Sequence, residues 1–162
     1  MGVNLVFVAL LALCCVYAAW GGGAPERIGA AIFAAGSALS HVAYLVSKRH
    51  FHDVEAGILL VDIATFIGFL ALALRANRFW PIWMTGLLGI GIIAHLAMQF
   101  SPQIQSYAYR FVLSVWSYPM LALIAIGTWQ HRKRLRLSGA DPSWSSSSRR
   151  PGPERRARTP GN

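Results

Sequence analysis

The sequence predicts an all-α integral membrane bundle of about five transmembrane helices, followed by a disordered basic C-terminal tail. Three observations predict it. Of the 162 residues 55% are hydrophobic and only 13% charged, about half the charged fraction typical of soluble domains. The apolar residues fall into five long stretches separated by short polar connectors. The charge is concentrated at one end: from Gln130 onward there are nine Lys/Arg and two acids, a net +7 of the overall +9.

A helix needs roughly 20 residues to cross a hydrocarbon core of about 30 Å. Stretches of that length lie near residues 3-20, 28-46, 57-74, 81-100 and 110-129. Together they define a transmembrane domain over residues 1-137. The connectors, Gly21 to Arg27, Ser47 to Ala56, Arg75 to Trp80 and Ser101 to Tyr109, contain Gly21-Gly22-Gly23, Pro25, Pro81 and Pro102, residues that end or open helices.

For the first stretch a cleaved signal peptide is the competing reading, but Met1 to Asn4 carries no Lys or Arg, so the positive n-region is missing. Lipid attachment fails as well: Leu13 precedes Cys14 where a small residue is required, and Val6 stands where N-myristoylation needs Ser or Thr. Cys14 and Cys15 are adjacent in an apolar run, a spacing suited to small apolar side chains rather than to a disulfide or a metal site. After Arg136 the composition shifts to Ser, Pro, Gly and Arg, and residues 138-162 are expected to be disordered.

Basic residues set orientation. With the tail in the cytoplasm, Arg27, Arg75, Arg78 and the nine tail cations lie inside, against Lys48, Arg49 and Arg110 outside. An odd number of spans then places the N-terminus in the periplasm. A pI near 10.6 raises nucleic acid as a partner, yet cations directly after an apolar segment meet anionic headgroups first, and no nucleic-acid partner is expected. The expected partners are the anionic bilayer itself and a membrane protein or a second copy of the chain.

Ionisable groups inside the membrane are the clearest functional signal, because each costs roughly 2.5 to 3.5 kcal/mol at mid-bilayer. His41, Asp62 and His95 are such groups, each five residues from the outer end of its stretch. Thr65 shares a helix face with Asp62, Gln99 shares one with His95, and Arg110 opens the fifth stretch at the same level. Three readings of this outward cluster stand side by side: polar ties between helices, a proton-linked carrier site using Asp62 and His95, and a b-type haem held by His41 and His95. Small residues on the second stretch, at Ala30, Ala34 and Ser37 with His41 and Tyr44, and Gly86, Gly89 and Gly91 on the fourth predict close helix packing there.

At the inner face, Arg75, Arg78 and Trp80 together with Arg132, Lys133 and Arg134 predict a lipid-headgroup site. His50, His52, Asp53 and Glu55 are read as solvated loop residues, and no metal or other cofactor is expected. No nucleophile motif, phosphate loop or metalloprotease helix occurs, so the chain is not expected to be an enzyme.

Several short motifs carry a resemblance: Gly23-Ala-Pro-Glu-Arg27, Leu60-Val-Asp62, Arg78-Phe-Trp-Pro81, His95-Leu-Ala97, Trp116-Ser-Tyr-Pro-Met120 and Gly127-Thr-Trp129. Over roughly residues 20-136 the chain resembles a family of small uncharacterised multi-pass inner-membrane proteins of alphaproteobacteria. The resemblance implies a bacterial inner-membrane address and no particular chemistry. The expected function is that of a non-catalytic accessory or small-ligand or lipid-binding component.

Overall fold

A computed structural model of the chain describes residues 5–46, 51–100, 106–139, 141, 143 and 144; side chains are described except at 51–56, 98–100 and 106–116. It consists of five α-helices: α1 (Leu5–Gly21), α2 (Ala24–Val46), α3 (Phe51–Arg75), α4 (Trp80–Phe100) and α5 (Ser106–Ser138). No strand occurs among the described residues, only an isolated antiparallel bridge between Ala76 and Trp144. Consecutive helices α1–α2, α2–α3, α3–α4 and α4–α5 pack together, and α5 also packs on α1 and α2, closing the bundle.

Three of the helical segments, Ala24–Val46, Gly57–Arg75 and Trp80–Ala97, are long and apolar enough to cross a membrane, and α1 is apolar but shorter. The outer surface fits a lipid solvent. Leu60, Leu74 and Ile93 are each more than 65% exposed, an arrangement that would aggregate in water. The buried core is correspondingly small and is built around Phe33, Phe69, Trp80, Met84, Leu121 and Ile124. At 33 residues, α5 is about 50 Å long.

Helix boundaries differ from expectation where local capping decides. The connector after α1 is only Gly22 and Gly23: the Gly22 amide donates to Ala18 O at 2.9 Å, and the Arg27 amide donates to Gly23 O at 3.1 Å, so α2 opens at Ala24. A Cβ on Gly22 would stand 2.5 Å from Ala18 O, which makes glycine a requirement of this turn. Glu26 then lies in the first turn of α2, where a carboxylate complements the helix dipole. Similarly α3 opens at Phe51, so His52, Asp53 and Glu55 are helical rather than loop residues; their side chains lie outside the described ones.

Two packing expectations are corrected. The small-residue stripe of α2 that enters the core is Gly29, Ala30 and Gly36 with Phe33, and His41 at its end is exposed. On α4, a Cβ on Gly86 or Gly91 would meet nothing within 4 Å, and Gly89 only faces Phe66 at 3.5 Å. These glycines do not mediate close helix contact.

The C-terminal segment is the largest departure. α5 continues to Ser138, Gly139 turns the chain with φ +68°, and the Asn77 amide donates to Ser143 O at 3.3 Å. Residues Asp141, Ser143 and Trp144, expected to be disordered, therefore return onto the α3–α4 connector, because Asp141 meets a buried arginine there. The remainder of the expected disordered tail, 145–162, lies outside the described residues.

Candidate functional site

Four chain segments converge at the tail end of the bundle: the start of α2, the α3–α4 connector, α5 at His131, and the returning segment. Glu26 is fully buried, and Arg78 and His131 are buried beside it. Arg78 uses its whole guanidinium. Nε donates to Glu26 Oε1 at 3.1 Å, Nη1 to Asp141 Oδ1 at 2.8 Å, and Nη2 reaches Asp141 Oδ2 at 2.7 Å. The last two form a two-pronged pair, the geometry in which arginine binds carboxylate most strongly.

His131 Nδ1 lies 2.7 Å from Asp141 Oδ2 and 3.3 Å from Arg78 Nη2. The shorter of the two contacts is to a carboxylate, which only accepts, so Nδ1 donates to Asp141 and the longer approach of Arg78 Nη2, itself a donor, is not a hydrogen bond. Trp80 Nε1 donates to Glu26 Oε1 at 3.3 Å. Its ring occupies a slot between Gly29 and Gly127, where a Cβ on either glycine would collide with it. Burial pushes the Asp141 carboxyl up, but hydrogen bonds from His131 and Arg78 and the charges of Arg78 and Arg134 outweigh it and hold Asp141 below the ordinary carboxylate range.

A second polar contact lies toward the far end. His95 Nε2 is 3.2 Å from Asp62 Oδ2, with His95 buried and Asp62 about a quarter exposed. Of the outward cluster read from the sequence, the fold brings these two into contact among the described side chains. Thr65 is buried, but its hydroxyl donates to Val61 O within its own helix at 2.8 Å. His41 is on the exposed face of α2, and the side chains of Gln99 and Arg110 lie outside the described ones. With His95 Nε2 held by a carboxylate and His41 facing outward, nothing aligns the two imidazoles about a haem.

The headgroup set divides in the same way. Arg78 and Trp80 are only 7% and 4% exposed, so they are core residues and not headgroup ligands; the ion pair and the glycine slot draw them in. Arg75 is exposed. Arg134 reaches Gln130 Oε1 at 3.4 Å and Asp141 Oδ1 at 3.8 Å. Arg132 and Lys133 instead line a groove of about 250 Å³ between α1 and α5, together with Tyr17, Trp129, Arg136 and Leu137. Arg132 Cζ stands 5.8 Å from the Tyr17 ring centre and Lys133 Nζ 5.3 Å from that of Trp129, within range of cation–π attraction. The Arg132 stem runs past Gly21, where a Cβ would come within 2.8 Å of Cδ.

Sequence reasoning missed Glu26, His131 and Asp141 as members of one site. The available signal was scarcity: Glu26 and Asp141 are two of only six acids in the chain, and Glu26 lies against an apolar stretch. No protein-family model, curated protein or solved structure matches the chain.

Proposed function

We propose that the protein is a five-span, non-catalytic component of the bacterial inner membrane, N-terminus periplasmic and tail end cytoplasmic, that binds an anionic lipid headgroup in the α1–α5 groove. The observation that carries this reading is the groove lining: three cations, Arg132, Lys133 and Arg136, with two aromatic rings and, among the described residues, no acid. A phosphate held there would meet guanidinium forks and an ammonium. Trp20, Phe79, Trp83 and Trp129 stand exposed at the same end of the bundle, the level at which aromatic side chains anchor to an interface. These rings support a headgroup depth for the groove.

Native mass spectrometry of the full chain released from nanodiscs of mixed phosphatidylglycerol and phosphatidylcholine tests this. Retained phosphatidylglycerol is expected to fall at least several-fold in an Arg132→Gln/Lys133→Gln/Arg136→Gln variant, with phosphatidylcholine unchanged. Equal retention by the variant and the parent would refute headgroup binding.

A second reading rests on the Asp62–His95 pair at 3.2 Å. A carboxylate and an imidazole in contact within a lipid-facing bundle are the two kinds of group that a proton-coupled carrier places inside a membrane. Vesicles in which Asp62→Asn abolishes pH-driven uptake would favour it over the lipid-binding reading.

A further inference from the structure

We propose that the tail end of the bundle carries a binding site for a small carboxylate, and that Asp141 occupies this site in cis as a displaceable plug. The site is separate from the headgroup groove and does not depend on it.

The first support is where the donors come from. Asp141 Oδ1 accepts from Arg78 Nη1 at 2.8 Å, and Oδ2 meets Arg78 Nη2 at 2.7 Å and His131 Nδ1 at 2.7 Å. Arg134 Nη1 stands 3.8 Å from Oδ1. None of these donors belongs to the returning segment: Arg78 lies on the α3–α4 connector, and His131 and Arg134 lie on α5. A guanidinium fork in two-pronged contact is the arrangement by which arginine recognises a planar carboxylate.

The second support is that other contacts hold this receptor in place. Arg78 Nε donates to Glu26 Oε1 at 3.1 Å, which also accepts from Trp80 Nε1. The guanidinium is thus fixed by α2 through its Nε edge, while its two Nη atoms face Asp141. Arg134 Nη2 donates to Gln130 Oε1 one turn back on α5. A site organised in advance spends little of its binding energy on ordering itself.

The third support is how lightly the occupant is tied. Ser138, Gly139 and Trp144 are exposed, whereas the Asp141 side chain is only 5% exposed. Among the described residues, the segment's other polar tie is at the connector, where the Asn77 amide donates to Ser143 O at 3.3 Å beside the bridge between Ala76 and Trp144. One enclosed carboxylate therefore anchors an otherwise exposed segment.

The fourth support is charge. With Asp141 in place, the guanidiniums of Arg78 and Arg134 are matched by the carboxylates of Glu26 and Asp141. Lifting Asp141 out leaves two cations against one anion and takes the carboxylate from the buried Nη edge of Arg78, a costly state for an enclosed charged donor. The vacated site therefore attracts an anion. Burial raises the Asp141 carboxyl, but the hydrogen bonds from His131 and Arg78 outweigh it, so the ionised form is the one held.

Size sets the ligand class. Beyond Cα an aspartate side chain has the heavy atoms of acetate, and this one is enclosed, so a short monocarboxylate fits the space it fills. A plug on a short tether competes at an effective concentration in about the millimolar range. A free carboxylate above that range displaces it, and by linkage the bound ligand releases the segment.

Asp141→Gly removes that acetate-sized group and tests the receptor in the full chain in detergent. Its thermal midpoint is expected to fall, and acetate is expected to restore most of the loss in a saturable way, whereas chloride at equal ionic strength and neutral acetamide restore none. Acetate raising parent and variant alike, acetate acting no better than chloride, or a variant that folds in neither salt would overturn the proposal. Displacement is read in the parent chain in nanodiscs from hydrogen exchange of the Asn77 amide, which donates to the segment. Its protection is expected to drop several-fold as acetate rises well above the millimolar range, and to hold in matched chloride. Protection that acetate leaves unchanged would show that Asp141 is a fixed part of the fold and no plug.

Discussion

Arg78 and Asp141, 63 residues apart in the chain, meet as a two-pronged ion pair with contacts of 2.8 and 2.7 Å. The pair is buried on both sides, with side chains 2% and 5% exposed. It lies beside the contact between Arg78 and Glu26, so one guanidinium holds α2, the α3–α4 connector and the C-terminal segment at once.

Arg78→Met leaves two carboxylates buried without their cation. A loss of about 3–5 kcal/mol is expected, the usual result of removing one partner from a buried pair, measured by thermal or denaturant unfolding in detergent. Arg78→Lys should recover only part of it, because an ammonium cannot reproduce the fork. A loss under about 1 kcal/mol would instead place this side chain among the headgroups.

Trp80 reaches Glu26 only because Gly29 and Gly127 leave room for its ring. Gly127→Ala is expected to cost about 1–3 kcal/mol through overpacking, and Trp80→Phe in that background should relieve part of the clash. The control is Gly86→Ala, a position where a Cβ meets nothing. It should be neutral or stabilising by about 0.5–1 kcal/mol, since alanine is the better helix former. Equal losses at Gly127 and Gly86 would contradict the slot.

Asp62 and His95 touch, while His41 points outward. Under the structural reading of this contact, Asp62→Asn lowers stability by about 0.6 kcal/mol, the average for a polar tie between membrane helices, whereas His41→Ala stays within about 0.5 kcal/mol of the parent. Thermal shift assays on the two variants separate these outcomes. A larger effect at His41 than at Asp62 would show that the two sites had been assigned the wrong way round.

The short motifs legible in the sequence acquire a common meaning in three dimensions. Gly23-Ala-Pro-Glu-Arg27 supplies Glu26 and, at Gly23, the close approach of His131, Arg78-Phe-Trp-Pro81 supplies the guanidinium and the indole, and Gly127-Thr-Trp129 supplies the slot and one groove wall. Leu60-Val-Asp62 and His95-Leu-Ala97 supply the second contact. Their spacing along the chain gave no sign of this, because the partners are 52 and 63 residues apart at Arg78 alone.

Composition and hydropathy by themselves determined an all-helical chain with apolar segments of membrane length and a basic end, since lipid admits few other ways to satisfy a backbone. They also singled out Asp62 and His95 as ionisable residues in apolar surroundings. Which face each helix turns inward was decided only by tertiary packing. Arg78 looked like an interfacial cation until Glu26 and Asp141 met it from two other segments, and His41 looked like a bundle residue until α2 turned Gly29, Phe33 and Gly36 to the core instead. The physical reason is that periodicity fixes which residues share a face, whereas burying a charge requires its counter-charge to arrive from elsewhere in the chain.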